Sequence, residues 1–244
     1  MPVSYQVKLH DSPVIWPEMK PESEVLALRD TTIEYVWQTT YQSKLFNPKG
    51  NVVKREWFND RFGEIGVPIG RWISFDTALS DTESSAKSAM VAGALMPDYR
   101  LKIIDVWAER VQFPQLLNII KNFANKHNEG GLLKSVIIEG KVSGISAAQT
   151  LRQSSDEWLS QKIQLFTPRY DKETRLSQAA LWCSLGCVQL PVPSNSYPWL
   201  YDFESDLFEA PNVVFMDQID AFSQLVLFLE ILLSEGHQAR SHHG

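Results

Sequence analysis

Apolar residues recur along this chain at two different spacings, and the order of those spacings predicts the fold class. Residues 71–76 and 135–139 are short apolar runs, the second rich in β-branched side chains, which is typical of buried strands. Residues 113–127 carry apolar side chains at every third or fourth position, the spacing of an amphipathic helix. Further strands are predicted at 87–96, 99–107, 163–166 and 188–190, and further helices at 145–153, 172–185, 199–208 and 216–233.

The first three predicted strands are joined directly to one another, whereas the later strands alternate with helices. An antiparallel meander followed by parallel strands produces a mixed sheet with helices packed on its faces. This order of elements predicts an α/β domain of the RNase H-like (RuvC-like) class, in which a mixed central sheet is flanked by helices.

The alternation of strand and helix patterns is missing before residue 67. Residues 1–22 contain four prolines and little periodicity, and residues 63–70 contain three glycines and a proline. We therefore predict an N-terminal arm and connector over residues 1–66, with a helix at 30–42 and a short strand at 52–58. The compact domain is predicted over 67–235, and a disordered tail over 236–244.

Composition and charge limit the class of protein. The 244 residues are 44% apolar, which is enough for one sizeable domain, and no run is long and apolar enough to cross a bilayer. We therefore expect a soluble, intracellular protein without a membrane partner. The formal net charge is -6, yet residues 113–175 hold nine Lys and Arg against six acids, and residues 176–239 hold eight acids without any Lys or Arg. Such asymmetry suits a phosphate-binding face beside a cation-binding face, and equally two ordinary solvated surfaces.

Three acidic positions could form a metal site. Asp76 lies inside an apolar strand, where an unpaired carboxylate is costly, and Glu139 ends a predicted parallel strand, where open α/β sheets bind ligands. Asp217, or Asp220 close to it, begins the last helix. Each position alone has an ordinary structural explanation, as a strand-edge residue, a solvated strand end or a helix cap. Together they predict a set of oxygen ligands for a hard divalent cation.

Six stretches of the chain carry a further signal. They are Ser-Phe-Asp-Thr-Ala at 74–78, Val-Ile-Ile-Glu-Gly-Lys-Val-Ser-Gly at 136–144, Lys-Glu-Thr-Arg at 172–175, Gly-Cys-Val-Gln-Leu-Pro at 186–191, Trp-Leu-Tyr-Asp-Phe-Glu-Ser-Asp-Leu at 199–207 and Met-Asp-Gln-Ile-Asp-Ala at 216–221. In this order they resemble the nuclease domain of the large terminase subunit of tailed double-stranded DNA phages. The resemblance extends over residues 67–233, and the connector before them resembles the segment that joins the family's motor domain to its nuclease.

The resemblance implies an endonuclease that cleaves double-stranded DNA during phage genome packaging, in the cytoplasm of the infected bacterial host or from a prophage. The implied partners are the portal protein, the small terminase subunit and a packaging ATPase domain. Two features depart from the family pattern. Met216 stands where one of two adjacent acids is usual, and the chain lacks the Gly-rich phosphate loop of an ATPase. No ATPase activity is therefore expected of this chain.

The chemistry expected of the three acids is two-metal-ion hydrolysis of phosphodiester bonds. Asp76 would bridge two Mg²⁺ or Mn²⁺ ions about 4 Å apart, and Glu139 and Asp217 would complete their coordination. Basic side chains nearby are candidate contacts to DNA phosphates, although each could instead be a solvated surface residue. These candidates are Lys141, Lys172 and Arg175.

Two other classes of function stay open at this point. A nuclease related to Holliday-junction resolvases or transposases would keep the metal chemistry but recognise a different DNA structure. A non-catalytic docking module would bind a portal or capsid protein through the acidic C-terminal face. Metal-dependent nicking of DNA separates both nucleases from the docking module, and a preference for branched DNA separates the resolvase from the terminase.

Overall fold

The computed structural model describes residues 52–77 and 88–241, together with Pro21, Ser23 and Glu24. The helix expected at 30–42 and the loop expected after Asp76 lie outside these residues. The chain comprises two compact units, one of Pro48–Leu229 and one of Met1–Asn47 with Glu230–Gly244. The sheet and every residue of the candidate site belong to the first unit.

A six-stranded mixed sheet forms the centre of this unit. Its strands are β1 (Gly70–Asp76), β2 (Ser88–Leu95), β3 (Leu101–Glu109), β4 (Leu133–Glu139), β5 (Ile163–Phe166) and β6 (Val188–Gln189). Their order across the sheet is β5-β4-β1-β2-β3-β6. The β1–β2 and β2–β3 pairs are antiparallel, whereas β4 pairs with β1, β5 with β4 and β6 with β3 in parallel. The meander followed by parallel strands is therefore confirmed.

The helices follow the predicted order as well, except that a short helix at Glu157–Ser160 was not predicted. They are α1 (Phe113–His127), α2 (Val142–Ser154), α3 (Glu157–Ser160), α4 (Lys172–Ser184), α5 (Leu200–Glu209) and α6 (Asp217–Ser241). The last helix continues to Ser241, beyond residue 233 where the apolar pattern ended it. No helix within the described residues combines the length and apolar character that crossing a bilayer requires.

Successive side chains of β1 point alternately into the core and onto the face that carries the candidate site. Ile73 and Phe75 point into a core built with apolar residues of α1 and α2. Because successive side chains of a strand point to opposite faces, Ser74 and Asp76 lie on the other face. There the Nε2 group of Gln224 in α6 donates a hydrogen bond to Ser74 Oγ at 2.9 Å. Helix α6 therefore packs on the face of the sheet that presents Asp76.

The segment ahead of β1 differs from its expected form. Residues 52–58 were expected to contain a strand, but Arg55–Phe58 form a 3-10 helix. Val52, Val53 and Phe58 are buried, and Phe58 packs on α5: the Phe58 and Phe208 rings lie 5.6 Å apart, and the Arg55 guanidinium lies over Phe208. The assignment of residues 1–66 to an arm and connector, and of residues 67–235 to a nuclease domain, stays a prediction.

Candidate active site

Two of the predicted acids end neighbouring parallel strands. Phe75 of β1 pairs with Ile138 of β4, so Asp76 and Glu139 occupy the next position of the same register. Each of the two carboxyl groups influences the pKa of the other. Both residues are buried, with 6% of Asp76 and 4% of Glu139 exposed. The carboxyl ends of the two central strands therefore hold a close pair of carboxyl groups.

The third acid at this centre is Asp220 of α6. Its charge acts on both Asp76 and Glu139, and only 2% of the residue is exposed. Its position follows from the Gln224–Ser74 hydrogen bond. Four residues of helix span about 6 Å and two residues of strand span roughly 7 Å. Asp220 lies four residues before Gln224 in α6, and Asp76 lies two residues after Ser74 in β1. The two similar distances therefore bring Asp220 level with Asp76.

Asp217, expected as the third metal ligand, begins the same helix, and its role as a ligand stays a prediction. It is the first residue of α6 and only half-buried, about 4.5 Å further along the helix axis than Asp220 at ~1.5 Å per residue. The acidic charges that raise the pKa of Asp76 are those of Glu139 and Asp220. Of the two acids that begin the last helix, the structure thus brings Asp220 into the cluster.

Basic side chains neutralise two of the three acids. Lys141 Nζ lies 2.8 Å from Glu139 Oε2, and Arg175 Nη2 lies 3.3 Å from Glu139 Oε1. Lys172, the first residue of α4, forms a short ion pair with Asp220. The three candidate DNA contacts are therefore ion-paired with the acids.

Burial and like charge act together on Asp76. Burial is the largest effect, and the charges of Glu139 and Asp220 add to it, so that the pKa of Asp76 rises to about 7 despite the opposing charges of Lys172 and Lys141. For Glu139, burial is again the largest effect and would raise the pKa. The hydrogen bond and charge of Lys141 and the charge of Arg175 outweigh it together, and the pKa of Glu139 is lowered. Near neutral pH the Asp76 carboxyl group is therefore about half protonated, whereas Glu139 is ionised.

The lysine at Asp220 is held in its charged form. Burial alone would lower the pKa of Lys172, but its hydrogen bond and ion pair with Asp220, with added attraction from Asp76 and Glu139, raise it. The ammonium group is thus a fixed positive charge at the centre of the cluster.

A cavity of about 310 Å³ opens beside Glu139. Its walls include Lys141, Lys172 and Arg175, together with residues of the turn between β5 and α4. Lys141 and Lys172 leave 56% and 49% of their side chains exposed, whereas Arg175 is buried and its Nε group has no hydrogen-bond partner. A buried N–H without an acceptor is costly, and Arg175 Nε is such a donor inside this wall.

A glycine sets the distance between β4 and α2. A Cβ atom built on Gly144 would lie 1.9 Å from the backbone oxygen of Glu139, far inside van der Waals contact. The first turn of α2 therefore packs directly on the end of β4. The Thr77 and Ser143 hydroxyl groups, 2.7 Å apart, join the same turn to the end of β1. These contacts hold the two strand ends that carry the acids.

The donor atoms suit a hard divalent cation, because three carboxyl groups converge at this point. Burial and like charge make it unfavourable to ionise all three carboxyl groups unless a positive charge is bound. Within residues 52–77 and 88–241, however, no three Asp, Glu, His or Cys residues are arranged to hold a metal ion. Two of the acids are instead closed by ion pairs with lysine and arginine. The set fits such an ion in chemistry and charge, and those ion pairs would have to rearrange around it.

Solved structures share this fold. The human cytomegalovirus terminase nuclease domain matches with a TM-score of 0.52 and 13% identity, over 72% of this chain and 94% of that one. A structure of the same domain soaked with Mn has a TM-score of 0.50 and 10% identity, over the same shares of the two chains. The large terminase of a thermophilic bacteriophage, in complex with ADP, has a TM-score of 0.52 and 11% identity, over 84% of this chain.

At these identities the likeness concerns the fold, and the RNase H-like class predicted from the order of elements is confirmed. The alignment spans only 51% of the bacteriophage large terminase, so this chain corresponds to about half of that protein's length. The sequence matches no family model and no curated protein.

Sequence reasoning had named every member of the cluster but not its pairing. Asp220 was the alternative to Asp217 at the start of the last helix, and Lys172 was a candidate DNA contact. The ion pair between them joins two helices 48 residues apart in sequence. The available signal was Gln224, a polar residue in an apolar helix, because its hydrogen bond to β1 sets which acid of α6 is level with Asp76.

Proposed function

We propose that this protein is a divalent-metal-dependent endonuclease that hydrolyses phosphodiester bonds of double-stranded DNA. The observation that carries the proposal is the convergence of Asp76, Glu139 and Asp220 at the carboxyl ends of β1 and β4. The shared fold with terminase nuclease domains supports the same reaction class. A buried acid cluster beside a basic cavity is also more useful to a nuclease than to a docking surface.

The carboxylates of Asp76, Glu139 and Asp220 are the groups that would hold Mg²⁺ or Mn²⁺. A divalent ion bound there would lower the pKa of an attacking water and stabilise the negative charge that develops on the leaving oxygen. The protein's own contribution is to keep the acids close together in a largely buried environment, where an electrostatic interaction is stronger than in water.

The basic wall of the cavity is suited to the DNA backbone. Lys141 is the most exposed of the three cations and lies directly beyond the end of β4, so its ammonium group can reach a phosphate without leaving the neighbourhood of Glu139. Contacts of this kind hold phosphates whatever the base sequence, so we expect cleavage with little sequence preference.

We further propose that this cleavage serves phage genome packaging. The likeness to terminase nuclease domains supports this role, with the portal protein, the small terminase subunit and a packaging ATPase domain as partners in the host cytoplasm. A resolvase-like substrate is the alternative that the fold leaves open, and DNA structure preference distinguishes the two.

The test is conversion of supercoiled plasmid to nicked and linear forms. We expect cleavage with Mn²⁺ or Mg²⁺, no cleavage in EDTA, and no effect of ATP. Asp76→Ala should be inactive, whereas Asp105→Asn, which changes a buried aspartate of β3 paired with Lys126 and His127, should cut once its folding is confirmed by circular dichroism. Persistent cutting in EDTA, or normal cutting by Asp76→Ala, would refute the proposal. Preferential cutting of four-way junctions would replace the packaging role with the resolvase role.

A further inference from the structure

A second cavity, of about 470 Å³, lies at the same edge of the sheet as the acid cluster. Its walls come from the end of β3, from α5 and from residues around the start of α6. In the register of the sheet, Asp76 pairs with Ala89 and Ala89 pairs with Ala108, which lines the cavity. Two strand spacings, roughly 10 Å, therefore separate Asp76 from this wall. The cavity is a neighbour of the acid cluster and shares no residue with it.

Aromatic rings form much of the cavity wall. Its lining includes Trp107, Trp199, Tyr201 and Phe215. Trp199 is held in place because its ring packs edge-on against the buried Phe203, with 6.0 Å between the ring centres. The face of an aromatic ring attracts a cation, and a planar guanidinium can also stack on it. The walls are therefore suited to an arginine side chain.

The chain already makes one contact of this kind beside the cavity. The Arg110 guanidinium carbon lies 4.9 Å from the centre of the Phe215 ring. Arg110 is not among the residues that line the cavity, so the cavity volume remains for another group. The contact at Phe215 is an example, within this protein, of the chemistry that the other rings of the wall can offer.

The charge of the lining has one sign. Among the described residues that line the cavity, every charged side chain is acidic: Glu109, Asp202 and Asp206. Glu109 and Asp202 are exposed and join none of the ion pairs within the described part of the chain. Gln218 Nε2 donates to Asp206 Oδ2 and to the backbone oxygen of Asp202, which joins α5 to α6 behind these acids. Such a lining attracts a cation and repels the phosphates of a nucleic acid.

Exposed apolar surface accompanies the cavity. Tyr201, which lines it, is 82% exposed, and Val214, next to the lining residue Phe215, is 87% exposed. Free arginine is too small to cover this surface as well as fill the cavity. A polypeptide segment that carries an arginine between apolar residues can do both, which is typical of a protein interface.

We propose that this cavity binds an arginine side chain from a basic segment of a partner protein. The guanidinium enters between the aromatic rings, and its N–H groups donate to the carboxylates of Glu109 and Asp202. Apolar residues beside the arginine cover Tyr201 and Val214. The proposal does not depend on the nuclease activity, although a partner that docks here lies beside DNA held at the acid cluster.

The experiment is a titration of the isotope-labelled full chain, followed by NMR, with the acetylated and amidated peptide Gly-Leu-Arg-Leu-Gly. The indole N–H signals of Trp107 and Trp199 report on the cavity walls. We expect both signals to shift to saturation with a Kd below about 1 mM. A peptide with citrulline in place of arginine keeps the shape without the charge and should bind at least about tenfold more weakly. The lysine peptide should bind at least about threefold more weakly, because an ammonium group neither stacks on a ring nor donates as a planar fork.

Exposed positions supply variants that keep the fold. Asp202→Asn should weaken peptide binding about fivefold, the loss expected for one exposed ion pair. Tyr201→Ser should weaken it by roughly threefold, because apolar contact is lost. Glu209→Gln is the matched charge control, since it removes an exposed acid of α5 outside the cavity. Val67→Ser is the matched apolar control, since Val67 is 83% exposed and also lies outside the cavity. Both controls should bind like wild type.

Several results would overturn the inference. They are unshifted Trp107 and Trp199 signals, equal binding of the citrulline or lysine peptide, unchanged binding by Asp202→Asn, and a loss in Glu209→Gln as large as that in Asp202→Asn. Larger shifts of the two tryptophan signals with a short DNA duplex would assign the cavity to nucleic acid and overturn the inference as well. Because none of these measurements involves DNA cleavage, each of these results leaves the proposed function standing.

Discussion

Replacing Asp76 by Asn should stabilise the metal-free protein at alkaline pH and have little effect at acid pH. The pKa of Asp76 is about 7 in the folded protein, against an ordinary value of 3.8. Below about pH 4 the residue is protonated in both the folded and the unfolded chain, so its ionisation costs nothing. As the pH rises, the unfolded chain loses the proton first, and the free energy of unfolding falls by about 1.4 kcal/mol per pH unit.

The decrease in the free energy of unfolding of the wild-type protein is complete above about pH 7. It then reaches roughly 4 kcal/mol, because the pKa of Asp76 is shifted by about 3 pH units. Asn carries no titrating charge and keeps a donor for Glu139, so the variant should avoid this loss. The expected difference at pH 8 corresponds to a melting temperature roughly 8–16 °C above wild type for a chain of this size.

The assay is urea or thermal unfolding of both proteins in EDTA between pH 5 and pH 8. Asp105→Asn is the control with the opposite expectation. Burial would raise the pKa of Asp105, but the hydrogen bonds and charges of His127 and Lys126 outweigh it and lower the pKa, so this variant should be less stable than wild type at neutral pH. If the stability difference between Asp76→Asn and wild type changes by less than about 1 kcal/mol over this pH range, the electrostatic account of the acid cluster is wrong.

Three further changes test the site. Asp220→Asn should reduce plasmid cleavage by at least about 100-fold while Asp217→Asn stays within about threefold of wild type, and the reverse order would restore Asp217 as the metal ligand. Lys141→Ala should reduce the magnitude of the slope of log DNA affinity against log salt concentration by about 0.9, measured by filter binding with duplexes of unrelated sequence. An effect on one sequence alone would mean that Lys141 contacts bases rather than phosphates. Gly144→Ala should destabilise the fold by about 1–3 kcal/mol in urea unfolding and reduce cleavage, whereas Gly63→Ala, with open space at its Cβ, should do neither; a neutral Gly144→Ala would show that α2 can shift.

The sheet and its two end acids were predictable because they depend on local patterns. The β-branched run that ends in Glu139 and the apolar run that ends in Asp76 identify parallel neighbours, and the direction of parallel strands places their ends together. The expected strand at 52–58 failed because burial there comes from packing on α5, and apolar residues of a buried turn have the same composition as those of a strand.

The choice between Asp217 and Asp220 depends on a distance that no local pattern contains. Both residues fall in the first turn of α6, and either can be brought near β1 by sliding the helix along its axis. The slide is set by contacts such as the hydrogen bond from Gln224 to Ser74, between residues 150 positions apart in sequence. Periodicity identifies the helix and its apolar face, but it does not set the register of that face against a strand.

Neutral contacts hold the charged residues together. Two carboxylates about 4 Å apart repel each other by about 4 kcal/mol at an effective dielectric constant of 20, which is as large as the cost worked out for ionising Asp76. Ion pairs of Lys141, Arg175 and Lys172 oppose this repulsion in part. Other opposing contacts carry no charge: Gln224 hydrogen-bonds Ser74, the first turn of α2 packs on the end of β4 at Gly144, and β1 is paired with a strand on each side. Because these contacts do not depend on protonation, the acids stay close together when Asp76 ionises, and the repulsion remains available to favour the binding of a cation.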